Sequence, residues 1–114
     1  MIQVSYQSLS PIHTDEFPCI GTHTSYHHVG KEPVPDHICV RVGINPDNPL
    51  HTHSMIIKLT NTSEHKSKKD TLIQKLKTQY PVSVRFIDLR CYAYETNKDC
   101  GYTGYATDFE ILEE

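Results

Sequence analysis

The chain predicts a mainly β single domain with one α-helix, and three observations lead there. Short segments alternate apolar and polar residues, as in Ile38-Val40-Val42, Met55-Ile57-Leu59 and Val82-Val84-Phe86. Clusters of proline, asparagine and aspartate punctuate them. Only one stretch, from about residue 67 to 80, carries apolar residues at helical spacing. The length of 114 residues suits one domain with a modest core, residues 1–114 throughout. A net charge of −3 argues against a generally basic protein that coats nucleic acid. No apolar run approaches the length that spans a bilayer, so no membrane partner is expected.

In order, Ile2 to Leu9 reads as a strand, with Ile2, Val4 and Tyr6 alternating against Gln3, Ser5 and Gln7. Ser10-Pro11 ends it. Phe17 to Val29 is a second strand, rich in Thr, Tyr and His and interrupted at Gly21. Lys31 to Asp36 holds two prolines and reads as an extended loop. His37 to Ile44 alternates again, with Ile38, Val40 and Val42 on one face and Cys39, Arg41 and Gly43 on the other. Asn45-Pro46-Asp47-Asn48-Pro49 is the clearest turn signal, and Ser54 to Thr60 returns as a strand.

The helix is expected from about Ser67 to Tyr80. Ser67-Lys68-Lys69-Asp70 resembles a capping box, and Leu72, Ile73, Leu76 and Tyr80 fall on one face before Pro81 stops the helix. Its lysines solvate the outer side. Two long strands follow. Val82, Val84 and Phe86 share a face, then Ile87, Leu89, Cys91 and Ala93 share one of opposite parity, so a one-residue bulge is expected near Phe86-Ile87-Asp88. Thr96 to Gly101 makes a hairpin loop. Thr103, Tyr105, Thr107, Phe109 and Ile111 are the expected inner set of the last strand.

Strands first, a helix after the third core strand and a closing hairpin match the order of a small OB-like antiparallel barrel of five to six strands, with the helix before the last two. The competing arrangement is an α+β open sheet with one packed helix.

Cys19, Cys39, Cys91 and Cys100 form no C-x-x-C pair. The first six residues carry neither the basic stretch nor the apolar core of a secretion signal, so free thiols and a cytoplasmic location are expected. Six of the eight histidines fall between His23 and His53. On a strand, His51 and His53 would share a face and could bind one metal ion, with His37 as a third ligand. The bland reading places these histidines in polar loops and implies no cofactor. Val29-Gly30-Lys31-Glu32 followed by His37 resembles superoxide reductases, but the Cys-x-x-His pair of that family is missing.

The last hairpin suggests a function. With the bulge so placed, Arg85, Asp88, Arg90, Tyr92 and Tyr94 point outward, Tyr102 lies on the same side of the neighbouring strand, and Lys98 sits in the loop. Aromatic faces stack on unpaired bases of any sequence, while arginine and lysine neutralise phosphates; Arg41 could extend the positive track. The hairpin Tyr92-Ala93-Tyr94 to Gly101-Tyr102-Thr103-Gly104-Tyr105 resembles small OB-like accessory proteins of phages and mobile elements, over the last third of the chain. No G-x-S-x-G, phosphate-binding glycine loop or dinucleotide fingerprint appears, so no catalysis is expected. The expected function is a non-catalytic accessory to replication or repair that binds single-stranded DNA or RNA through Tyr92, Tyr94, Tyr102, Arg85, Arg90 and Lys98, with a larger replication protein as a possible further partner. The alternatives are an adaptor or inhibitor using the aromatic hairpin against another protein, and a His-rich metal-binding protein.

Overall fold

A computed structural model describes residues 2–112. Its elements are β1 (Ile2–Val4), α1 (Tyr6–Leu9), β2 (Glu16–Val29), β3 (Glu32–Gly43), β4 (Ser54–Thr60), α2 (Ser63–Leu76), β5 (Val82–Ile87), β6 (Arg90–Glu95), β7 (Cys100–Tyr105) and β8 (Asp108–Ile111). All eight strands join one sheet, in the order β1-β6-β7-β4-β3-β2-β5-β8, curled into a half-barrel. Neighbours are antiparallel except β4 and β7, which run parallel. The mainly β expectation holds. The strand count of five to six does not, because each arm of the last hairpin is cut in two.

That cut is the central feature of the fold. The expected one-residue bulge is instead a sharp corner, with Asp88 at φ 53°. Short polar side chains tolerate this left-handed region better than most. The opposite arm turns at the same level, where Thr107 N donates to Ile87 O at 3.0 Å. Below the corners β5 and β8 pair with each other, and β5 pairs with β2. Above them β6 and β7 pair, and β7 lies against β4. The bent hairpin therefore spans the curled sheet, and the path β2-β3-β4-β7, continued along the chain into β8 and across to β5, returns to β2.

The corners also reset which side chains point inward. Cys91 faces the core, as does Phe86 across the break, so the parity change on this arm is as expected. On the other arm Tyr102 and Gly104 are buried, whereas Thr103 and Tyr105 face outward. The expected inner set of the last strand is thus corrected before the corner and kept for Phe109 after it.

Other boundaries move for local reasons. Only Ile2–Val4 of the first segment is strand; Tyr6–Leu9 forms one helical turn that buries Leu9, whose carbonyl accepts from Asn45 N at 2.8 Å. The helix starts at Ser63 rather than Ser67, because Thr62 accepts from His65 N at 3.1 Å and caps it one turn earlier. It ends at Leu76, leaving Tyr80 exposed. Pro33 and Pro35 lie within β3 and not in a loop. Proline cannot donate to a ladder, but β4 pairs with β3 only from His37 onward, so the prolines sit where β3 has just one neighbour. Residues 26–35 thus form a two-stranded arm beyond the body of the sheet.

The core lies inside the curl. Phe17 and Phe86 meet edge to face with centroids 6.0 Å apart, and Phe109 packs beside them. Val40, Val42, Ile57, Leu59 and Leu72 complete the interior. The four cysteines are free thiols. Burial pushes Cys19 up to about 11 and Cys91 to about 12. No helix among the described residues is long and apolar enough to cross a membrane.

Candidate functional site

Register across five strands builds the outer surface opposite the core. Arg90 lies opposite Tyr105, Tyr105 opposite Lys58, Lys58 opposite Cys39, and Cys39 opposite His23. The next row runs Tyr92, Thr103, Ile56, Arg41, Gly21. A third begins with Tyr94 opposite Gly101. Because side chains alternate across a strand, these rows share one face. That face carries a groove of about 680 Å³ lined by His23, Arg41, His53, Lys58, Tyr94 and Tyr105 among others.

Aromatic rings and cations are interleaved here. Tyr92 and Tyr105 meet edge to face with centroids 6.0 Å apart, and Lys58 Nζ lies 5.9 Å from the Tyr105 ring. Tyr94 leans over Gly101, where a Cβ would sit 2.9 Å from its hydroxyl oxygen. Ile56 adds an apolar patch, and Cys39, almost wholly buried, forms part of the floor. Thr52 Oγ1 lies in the wall, buried and without a hydrogen-bond partner.

Among the described residues the groove lining contains arginine and lysine but no aspartate or glutamate, in a chain whose net charge is −3. Among the described residues neither Arg41 nor Lys58 is in an ion pair. Carboxylates gather on other parts of the sheet. Around β5, Arg85 is flanked by Asp15 at 3.6 Å, Glu16 at 3.3 Å and Glu110 at 3.7 Å. At β8, Lys68 donates to Asp108 at 2.7 Å; that bond holds the Asp108 carboxyl below its usual range and the Lys68 amine above its own.

The residues singled out from the sequence divide accordingly. Tyr92, Tyr94 and Arg90 point to the outer face as expected. Tyr102 pairs with Ala93, is 6% exposed and belongs to the core, so it offers no face for stacking; the corner at Ala106-Thr107 is the reason. Arg85 belongs to the acidic end, its charge already matched. Lys98 sits exposed in the β6–β7 turn at the end of the hairpin. Arg41 lies in the middle of the groove.

The expected histidine cluster is not assembled. His51 and His53 precede β4 and are not on a strand, with His51 at φ 54°. His37 lies on β3 with Nδ1 3.2 Å from Asp36. Among the described residues no three His, Cys, Asp or Glu side chains are placed to hold a metal ion.

Lys58, Tyr105, His23 and Ile56 are the groove residues that sequence reasoning passed over. Three of them fill the polar slots of an alternating strand, and their signal is cross-strand register, which a single chain does not display. No protein-family model, no curated protein and no solved structure matches this chain.

Proposed function

We propose that the protein is a single-stranded nucleic-acid-binding module that holds its strand in the groove on the outer face of the sheet. The observation that carries this reading is the groove itself, in which Arg41 and Lys58 stand beside Tyr94 and Tyr105, with Tyr92 against Tyr105 and no carboxylate of the described residues in the lining. A backbone of phosphates is held by the cations, and unpaired bases stack on aromatic faces whatever their sequence. Such sequence tolerance suits an accessory to replication or repair, where unpaired strands of any sequence must be held. The net negative charge of the chain does not oppose this, since the described aspartates and glutamates lie outside the groove lining.

The same reading extends to the fold, as an OB-type barrel. Taking β2, β3 and β4 as its first three strands and the bent arms β5–β6 and β7–β8 as its fourth and fifth supports this. The circuit then runs first, second, third, fifth, fourth and back to first, and the helix lies between third and fourth. Oligonucleotides bind OB barrels over the second and third strands, between the loop joining strands one and two and the loop joining four and five. Here those strands are β3 and β4, bearing Arg41 and Lys58, and the loops are the tip of the arm at Gly30-Lys31 and the turn carrying Lys98.

The test is fluorescence anisotropy with labelled oligo-dT of about 4 to 16 nucleotides, at about 50 and 200 mM salt. Affinity is expected to fall with salt, with a slope near −0.7 per phosphate contact. Arg41→Ala and Lys58→Ala should each flatten the slope by about 0.7. Absence of binding at 50 mM salt overturns the reading and leaves the groove to a protein partner.

A further inference from the structure

Two imidazoles line the groove, and among the described residues neither ring makes a hydrogen bond or an ion pair. His23 projects from β2 beside Cys39, and His53 stands at the entry to β4; both are exposed. The backbone at His53 is fixed without its ring, because its carbonyl accepts from Ile44 N at 3.1 Å. No carboxylate among the described residues lies within 4 Å of either ring. The histidines that do have acidic neighbours are His27 and His37, beside Asp36, and His65, 3.3 Å from Asp108.

We infer that His23 and His53 are part of the phosphate track and bind as imidazolium, so that strand binding takes up protons. This rests on the proposed nucleic-acid groove and adds its regulation. Imidazole is the side chain whose charge changes between pH 5 and 8, and a phosphate beside it favours the charged form. The other titratable or charged residues of the lining are Cys39 and Arg41 from β3, Lys58 from β4, Tyr94 from β6, Cys100 and Tyr105 from β7 and, from the core side of β7, Tyr102. Beyond the lining, Lys69 of α2 reaches Thr24 next to His23, and His51 and Asp47 share the loop that carries His53. Among the described residues no carboxylate lines the groove, so the two rings stand open to an incoming phosphate. By linkage, whatever protonates the rings tightens binding, and binding protonates the rings.

The expected behaviour is specific. At pH 8 the groove works with its fixed cations, Arg41 and Lys58. Between pH 8 and 5.5 affinity rises, and the salt slope steepens by about 0.7 for each histidine that becomes a phosphate contact. The chain has six further histidines, so pH dependence alone decides nothing. The informative comparison is wild type against H23Q/H53Q, which keeps the other six. Each protein's oligo-dT affinity at pH 8 serves as its own reference. Between pH 8 and pH 5.5 at 50 mM salt the double variant should gain less affinity than wild type, by roughly two- to fivefold per histidine, the size of an exposed charge pair. Calorimetry near pH 7 in buffers of different ionisation enthalpy should show proton uptake for wild type and less for the variant. Equal unfolding midpoints at pH 8 establish that the variant is folded, and H23Q and H53Q singly divide the effect. If both proteins bind with the same pH gain, salt slope and proton uptake, the inference is wrong and the groove reading stands. If neither binds at any pH, the groove reading itself fails.

Discussion

Thr107 Oγ1 lies 3.1 Å from Asp88 Oδ2, and this contact joins the two corners of the bent hairpin. The same hydroxyl is 3.2 Å from Ile87 O, to which Thr107 N also donates. Each arm turns at the level where the other turns. Without these paired corners the hairpin would be straight and could serve only one end of the sheet. With them, β5 and β8 close against β2 while β6 and β7 carry the tyrosines to β4.

Asp88 therefore has two tasks, holding a left-handed backbone and meeting Thr107. Asp88→Ala should destabilise by about 1–2 kcal/mol, the scale of that backbone conformation for an ordinary residue. Asp88→Gly removes the backbone cost and keeps only the loss of the side-chain contact, so it should cost less. Urea unfolding of the two variants checks the order. A glycine variant as unstable as the alanine one would assign the effect to the Thr107 contact instead.

The corners also explain what was legible in the sequence. Alternation located β3, β4 and β5 and their inner faces, because Val40, Ile57 and Val84 fill a core that demands period two. It placed Tyr92, Tyr94 and Arg90 outward, since the parity change near Phe86 was visible in Ile87, Leu89 and Cys91. It misplaced Tyr102 and Tyr105, because the second corner falls in Ala106-Thr107, where no apolar pattern announces it. The helix start was misread for a similar reason: Thr62 and Ser67 are equally good caps in isolation, and packing of His65 and Leu72 chooses the first. The groove needed register. Lys58 meets Tyr105 only because β4 runs parallel to β7, a pairing between segments more than forty residues apart.

The Lys68–Asp108 bond makes an acid-limb prediction. The hydrogen bond from Lys68 lowers the folded-state value of Asp108 below its ordinary 3.8. A depressed carboxyl stabilises above its unfolded value and loses that contribution as pH falls through the folded one. Thermal midpoints of wild type and Asp108→Asn, followed from pH 7 to 2, should differ by a constant amount down to about pH 4 and converge below it. For Lys68 the sign reverses: its raised value gives a contribution present below 10.5 and lost at higher pH. Parallel curves through the acid range would show that Asp108 adds no pH-dependent stability.

Thiol chemistry should divide the four cysteines. Cys19, Cys39 and Cys91 are buried, and burial also raises the Cys19 and Cys91 thiols to about 11 and 12, which suppresses thiolate. Cys100 is exposed at the rim of the groove. A thiol reagent at neutral pH is expected to label one cysteine quickly and the rest only on unfolding, with mass mapping to Cys100. Saturating oligonucleotide should slow that reaction. Fast labelling of two or more sites would contradict the packing of β2, β3 or β6.

Gly101 gives the sharpest separation of stability from binding. Its position under Tyr94 leaves no room for a Cβ, which would meet the Tyr94 hydroxyl oxygen at 2.9 Å and the ring carbon bearing it at 3.1 Å. Both atoms belong to the far end of a side chain whose neighbour on the open side is the groove, so Gly101→Ala displaces the ring and leaves the backbone in place. Loss of glycine from a strand interior offsets part of the strain. Folding stability should change by less than about 1 kcal/mol, within the range of substitutions that avoid the core. Oligo-dT affinity should fall as far as in Tyr94→Ala, about 1–3 kcal/mol for one lost stacking platform. Gly104→Ala is the matched control on the inner side of the same strand, where a Cβ would lie 3.0 Å from Ile57 Cγ1 and 3.4 Å from Leu89 Cδ1. There no side chain can swing clear, and overpacking should cost about 1–3 kcal/mol of stability. Affinity per folded molecule should stay unchanged, because the outer face of β7 is untouched. Equal binding by Gly101→Ala and wild type would remove Tyr94 from the stacking surface and leave Tyr92 and Tyr105 to supply it.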